Sequence, residues 1–327
     1  MIHTQNLGRR FDTDHGIVEA VRGVDIDVAD GEIVAVLGPN GAGKSTTLHM
    51  LTTLLPPTFG TATVAGMDVG VDPIGVRRRI GYIGQGNGSS DGLRVNEELV
   101  GQARLHGVDR KTAQRRSGAL LERLQLHDLA RRDVATLSGG QRRRLDVAMG
   151  LIHEPSLVFL DEPSAGLDPQ SRSNLWEHIE RLRDEGDTTI VLTTHYLDEA
   201  DAVADRVIVI DHGSIIADGT PDQLKSGVSG DLVSLELTDT DAAEPAAQVA
   251  KNLPGADEVT VDITGATSGA VPVVYFRIDR GDTVTPEIVR ALDSAGIGLR
   301  SVQARRPTLD DVFLSLTGRS LREDETA

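Results

Sequence analysis

The chain contains no cysteine. That excludes disulfides, a thiolate metal site and thiol chemistry, and it fits a reducing compartment. No apolar run approaches the roughly 20 residues that a membrane-spanning helix needs. The N-terminal stretch MIHTQNLGRRFDTDHG has no apolar signal core. The expectation is a chain that leaves any membrane crossing to a partner. Positive charge is also scarce: 33 basic residues stand against 50 acidic ones, a net charge of −17. Wrapping nucleic acid relies on Lys and Arg to neutralise phosphates, so no nucleic-acid partner is expected. A local positive pocket for one nucleotide remains compatible with that balance. Lysine is rarer still, present only as Lys44, Lys111, Lys225 and Lys251. Lys44 lies inside a glycine loop, where a compact ammonium fits a tight phosphate cradle that a planar guanidinium does not.

What is present fills 327 residues, enough for one large and one small domain. EIVAVLG (32–38), SLVFL (156–160) and TTIVLTTH (188–195) read as buried strands. GKSTTLHMLTTLL (43–55) reads as a helix stopped by Pro56 and Pro57. Residues 168–186 form a second predicted helix, with Asp168 as N-cap, Pro169 in the first turn and Gly186 at the end. VADRVIVIDHGSIIADGT (203–220) reads as a hairpin, and about 88–150 as an inserted helical subdomain without strands. Strands separated by helices predict a mostly parallel α/β sheet over 1–220. A small-residue linker (221–230, with KSGVSG at its end) leads to a βαββαβ pattern over 231–318, the ferredoxin-like α+β order. A last helix over 308–318 and a tail over 319–327, expected to be disordered, close the chain.

The phosphate chemistry is concentrated in two places. Gly38, Pro39, Asn40, Gly41, Ala42, Gly43, Lys44, Ser45 and Thr46 spell GPNGAGKST between a strand and a helix, which fits G-x-x-x-x-G-K-[ST]. The glycines let successive N–H groups turn inward as an anion nest, and the helix start adds its positive end. Lys44 would reach the β- and γ-phosphates, and the Ser45 hydroxyl would ligate Mg²⁺. LVFLDEP (157–163) delivers Asp161 to a strand end, where it would hold Mg²⁺; Glu162 would polarise an attacking water. Mere turn chemistry is the competing reading of Asp-Glu-Pro, and the loop upstream outweighs it.

LSGGQ (137–141) stands before a further helix. Ser138 and Gln141 have capping-box spacing, and Leu145, Ala148, Met149 and Ile152 form an apolar helical stripe. A cap leaves Gly139 and Gly140 unexplained, since glycine weakens a helix. Two bare backbone units predict a close approach by something anionic.

In their order GPNGAGKST, LSGGQ, LVFLDEP, SAGLD and the histidine of TTH resemble an ATP-binding cassette (ABC) ATPase, over roughly residues 1–220. The resemblance implies a P-loop NTPase core that binds ATP and Mg²⁺ and hydrolyses ATP. It also implies a homodimer in which the LSGGQ segment of one copy (Ser138, Gly139, Gly140, Gln141) closes over ATP held by the other. By the same resemblance Phe11 stacks on adenine, with core packing as the alternative. Gln85 senses Mg²⁺ and the γ-phosphate and couples to a membrane partner. Asp168 spans the dimer interface, and His195 contacts the γ-phosphate beside Glu162. The stretch after Gln85, GNGSSDGLRVNEEL, departs from the apolar segment that many relatives place where the cassette meets its membrane subunit.

RPTLDDVFLSLTGR (306–319) and GYIGQGNGSS (81–90) look like the daunorubicin/doxorubicin-resistance type of ATP-binding subunit. That likeness implies an exporter ATPase on the cytoplasmic face of the membrane, beneath a separate transmembrane permease. The C-terminal domain, with no cluster of chemistry-bearing side chains, is expected to be a dimerisation module rather than a small-molecule sensor. A soluble ABC protein acting on nucleic acid or ribosomes, and a non-hydrolysing regulator, are the competing functions. Negative charge opposes the first; Glu162 and His195 oppose the second.

Overall fold

The computed structural model describes residues 1–318 except His15, Asn87, Asp187, Ser229, 263–271 and Arg280. They divide into two compact units, one ending at Pro221 and one beginning at Asp222.

The first unit opens with β1 (Ile2–Thr13), β2 (Gly16–Val24) and β3 (Asp27–Val28), followed by β4 (Ile33–Leu37) and α1 (Lys44–Leu51). Then come β5 (Phe59–Val64), β6 (Met67–Asp68), α2 (Pro73–Arg79) and β7 (Ile80–Ile83). Three helices follow, α3 (Val95–Leu105), α4 (Arg110–Arg123) and α5 (Gly139–Leu151). The chain returns through β8 (Leu157–Asp161), α6 (Pro169–Gly186), β9 (Thr189–Thr194), α7 (Leu197–Val203), β10 (Arg206–Asp211) and β11 (Ser214–Gly219). One sheet has the order β11-β10-β4-β9-β8-β7, parallel except at β11. All residues of β4, β8 and β9 are buried, which is why they read as continuous apolar runs. A second, antiparallel sheet has the order β2-β1-β5-β6, with β3 also on β1. The two sheets share one core, in which Leu7, Val21 and Val64 pack with Val34, Leu48 and Phe159.

Two expectations need correction. The helix predicted to reach Leu55 ends at Leu51. The Thr52 hydroxyl donates to the Leu48 carbonyl at 2.8 Å, and Thr53 turns to φ 62°. The N–H groups of Leu54 and Leu55 then both fold back to the His49 carbonyl. The stretch read as a linker also begins with a short helix, α8 (Pro221–Ser226).

The second unit contains β12 (Asp231–Leu237), α9 (Ala243–Lys251), β13 (Ala256–Asp262), β14 (Val273–Ile278), α10 (Gly281–Ser294), β15 (Leu299–Arg305) and α11 (Leu309–Thr317). Its sheet has the order β13-β14-β12-β15, antiparallel throughout, the ferredoxin-like arrangement. Val233, Leu235 and Leu237 alternate inward and pack with Phe276, Ala246 and Leu292. At the start of α10 the Gly281 N–H is anchored by the Asp231 carboxylate at 2.8 Å. The tail expected over 319–327 lies outside the described residues.

Candidate nucleotide-binding site

β4 ends in the loop 38–43, and the loop ends in α1. Gly43 adopts φ 107°, and a Cβ there would lie 2.5 Å from the Ala20 carbonyl oxygen, so only glycine fits. Gly43 is the N-cap of α1, and no side chain caps that end. The first amides of α1 therefore have neither an intrahelical acceptor nor a side-chain one. Lys44 is 5% exposed. Its ammonium donates to the Gly38 and Pro39 carbonyls at 2.7 and 3.0 Å and lies 3.8 Å from Glu162 Oε1. Burial lowers its pKa, against the opposing pull of Glu162 and Asp161. Asn40 and Gly41, at the loop's tip, are exposed; Ala42 is buried and Thr46 half-buried.

The ends of β8 and β9 meet this loop. The Ser45 hydroxyl donates to Asp161 Oδ1 at 2.9 Å, and the Thr193 hydroxyl donates to the same oxygen at 2.6 Å. Gln85 Nε2 donates to Ser45 Oγ at 3.2 Å. Glu162 follows in a left-handed conformation, φ 46°, with its N–H directed at the carbonyl and hydroxyl oxygens of Thr193. His195 Nδ1 lies 3.6 Å from Glu162 Oε1. The imidazole beside it, aided by Lys44, holds the Glu162 carboxyl below its usual range despite partial burial. Lys44, Ser45, Gln85, Asp161, Glu162 and His195 thus converge on one place.

Ser138, Gly139, Gly140 and Gln141 form a separate cluster with Asp168. Ser138 Oγ accepts the Gln141 N–H at 3.3 Å, and Gln141 Oε1 accepts the Ser138 N–H at 3.0 Å. The capping box read from the sequence is therefore present. The two glycines are bare for different reasons. A Cβ on Gly140 would meet Ser171 Oγ at 2.6 Å, so its bareness serves packing within the chain; a Cβ on Gly139 would meet nothing within 4 Å. Asp168 caps α6, accepting from the Ser171 N–H and hydroxyl at 3.0 and 2.6 Å. Phe11 is not a core residue. It is half-buried on β1, opposite the exposed Val18, with the Arg9 guanidinium 4.7 Å from its ring centre.

Three contributors were missed from sequence. Thr193 shares Asp161 with Ser45, and His49 Nε2 lies 3.9 Å from Asp161 Oδ2. Arg143 on α5 is buried, and its guanidinium donates to the carbonyls of Asp161, Pro163 and Gly84. Thr193 and His49 carried a signal in being polar positions beside motif residues. Arg143 carried none, standing in a run of three arginines.

The chemistry of this set fits a nucleotide with a divalent cation. Uncapped amides and a buried ammonium resting on loop carbonyls suit a polyphosphate. A hydroxyl, a carboxamide oxygen and one carboxylate are hard oxygen ligands of the kind Mg²⁺ takes alongside substrate phosphates.

Comparison with known proteins shows the family of the chain. The family model described as "ABC transporter" matches residues 21–165. The model described as "ATP-binding protein DrrA1-3-like, C-terminal domain" matches residues 219–317. Daunorubicin resistance ATP-binding protein DrrA3 of Streptomyces coeruleorubidus is 45% identical over 315 residues, 96% of each chain. Linearmycin resistance ATP-binding protein LnrL of Bacillus subtilis is 32% identical over 327 residues, 99% of this chain and 100% of that one. The ATP-binding cassette MJ0796, solved as a dimer in a post-hydrolysis state with ADP and Pi, superposes with a TM-score of 0.62. It is 24% identical over 67% of this chain and 98% of its own, and bears on the fold alone. The chain belongs to the ABC transporter ATPases, in the group of the daunorubicin- and doxorubicin-resistance ATP-binding proteins.

Proposed function

We propose that this ABC ATPase works as a homodimer at the cytoplasmic face of a membrane and powers a separate permease that exports an antibiotic-like molecule. In this reading residues 1–220 are the ATPase, 221–230 the linker and 231–318 an accessory dimerisation module. The observation that carries the proposal is the convergence of Lys44, Ser45, Gln85, Asp161, Glu162 and His195 at the ends of β4, β8 and β9. Strand ends of an open α/β sheet are where ligands bind.

The residues divide the work of binding and hydrolysis. Lys44 exchanges its two loop carbonyls for β- and γ-phosphate oxygens, and the amides of 41–46 surround the β-phosphate. Ser45, Asp161 and Gln85 would hold Mg²⁺, which would offset phosphate charge. Glu162, kept ionised by its neighbours, accepts a proton from the attacking water, and His195 steadies both the carboxylate and the γ-phosphate. Phe11, half-buried on β1, offers its ring to adenine. From the second copy, Ser138 to Gln141 close over the γ-phosphate, with Gly139 giving the room for approach; Asp168 crosses the same interface. Binding thus joins the subunits and hydrolysis releases them.

Substituting Glu162→Gln tests the proposal. It keeps the shape and removes the base. The expected outcome is retained ATP binding, an ATP-dependent dimer on size-exclusion chromatography, and steady-state phosphate release reduced by roughly 10²-fold or more. Wild-type phosphate release by this variant overturns the assignment of Glu162.

A further inference from the structure

Arg143 has no role in the reading above, yet it is among the most completely engaged side chains near the site. It sits one helical turn beyond Gly139 on α5 and is 6% exposed. Its Nε donates to the Pro163 carbonyl at 2.7 Å, Nη1 to the Gly84 carbonyl at 2.7 Å, and Nη2 to the Asp161 carbonyl at 3.3 Å. A planar fork can serve three acceptors in different directions; a lysine ammonium at that place cannot reproduce the set.

These acceptors are not arbitrary backbone. Glu162 is held at φ 46°, a conformation that L-residues with side chains adopt at a cost. Such strain persists where the surroundings over-determine it. The peptide between Asp161 and Glu162 is gripped at both poles, its oxygen by Arg143 and its N–H by Thr193. The carbonyl just past Glu162, at Pro163, is gripped by the same guanidinium. The third acceptor, Gly84, belongs to the peptide that leads into Gln85, whose side chain reaches Ser45. Farther along that loop, Arg142 donates to Ser89 Oγ and to the Ser89 carbonyl, and Asp146 accepts the Ser89 N–H. The helix that begins with Gly139 and Gly140 therefore holds both ends of the Gln85 loop and the backbone on either side of Glu162.

We propose that Arg143 is a positioning residue for ATP hydrolysis: through backbone carbonyls it sets the Glu162 carboxylate and the Gln85 carboxamide in register with the start of α5. It touches no reacting atom. A shift of α5 when the dimer closes is carried by this guanidinium to both groups. The inference rests on Glu162 as the base.

The test uses the full-length chain with Arg143→Lys and, separately, Arg143→Gln. Steady-state ATPase kinetics, affinity for a fluorescent ATP analogue and thermal unfolding are measured for each, with Glu162→Gln in parallel. Misplacing a catalytic group by about 1 Å costs on the order of 10²-fold, so turnover should fall by roughly 10- to 100-fold. Nucleotide affinity and KM should stay at the wild-type level. In a third variant, Arg143→Ala, methylguanidinium should restore part of the lost turnover. Wild-type turnover in a folded Arg143→Lys protein, while Glu162→Gln is inactive, overturns the proposal. So does a fall in rate matched by losses of affinity and melting temperature, or failure of both variants to fold, because the residue is then only part of the core. If Glu162→Gln itself retains wild-type turnover, the assignment of the base has failed instead.

Discussion

Two helices of the first unit have glycine at their N-terminal ends, Gly43 as the N-cap of α1 and Gly139 as the first residue of α5, and their first turns are finished in opposite ways. α1 follows Gly43 with no side-chain cap, beside a buried lysine whose charge rests on loop carbonyls. α5 follows Ser138, and there Ser138 and Gln141 satisfy each other reciprocally. The difference lies in what each end still has to offer. A helix start leaves four N–H groups without intrahelical acceptors. At α1 these remain for a ligand, and a cation stands ready beside them. At α5 a cap has taken one of them, no lysine is near in sequence, and the open space is confined to Gly139. Physically, the α1 end is sufficient to hold a polyphosphate alone. The α5 end is suited to adding a few donors to an anion already held, so nucleotide binding should precede dimer closure.

The largest effect expected from breaking this contrast is at Lys44. Lys44→Ala removes the buried cation and should lower kcat/KM for ATP by about 10²–10³-fold, the scale for losing one preorganised donor to developing charge. Loss of binding to an immobilised ATP analogue would accompany it. Unchanged binding would mean that the uncapped helix end alone holds the phosphates.

The two glycines of α5 separate packing from ligand approach. Gly140→Ala drives a methyl group against Ser171, whose Cβ as well as Oγ is in the way, and should cost about 1–3 kcal/mol by overpacking. Gly139→Ala meets no neighbour within the chain and should leave thermal stability level or raise it by up to about 1 kcal/mol. It should nevertheless reduce ATP-dependent dimerisation and turnover, while the affinity of the monomer for nucleotide stays as it was. If Gly139→Ala dimerises and turns over normally, the second cradle does not close on phosphate at that position.

The smallest effect belongs to the cap. Ser138→Ala should cost about 1 kcal/mol. In a unit of this size that is a fall of roughly 2–4 °C in melting temperature. A larger loss of turnover than of stability would show that the hydroxyl also serves the partner's nucleotide.

Much of the site was legible before the fold was known, because its parts are local. A glycine loop between a buried strand and a helix declares an anion nest within nine residues, 38–46. β8 and β9 are buried on both faces, so their apolar runs and the polar residues that end them stood out. β1 did not stand out, since its burial alternates irregularly and shifts register at two places against β2. The end of α1 was misplaced because the helix stops by threonine hydroxyl bonding and a positive φ, not at the prolines. The three arginines of α5 were indistinguishable as letters. Successive helical residues point about 100° apart. Arg142 accordingly turns to Ser89 and Asp91, Arg143 to the backbone around Glu162, and Arg144 to Asn174.

By itself the sequence determined the order of the motifs, the buried parallel strands, the two-part organisation and the identities of the groups able to meet a phosphate. These follow from periodicity, glycine geometry and charge, all of which act over a few neighbouring residues. Only the tertiary structure decided that β4 lies beside β9 and β9 beside β8, which brings Ser45, Thr193 and Asp161 to one oxygen. It also decided that Gly140 is bare for Ser171, and that one arginine binds both Gly84 and Pro163. These contacts join residues 20 to 116 positions apart, across pairings set by burial of whole strands and helices, which no local pattern encodes.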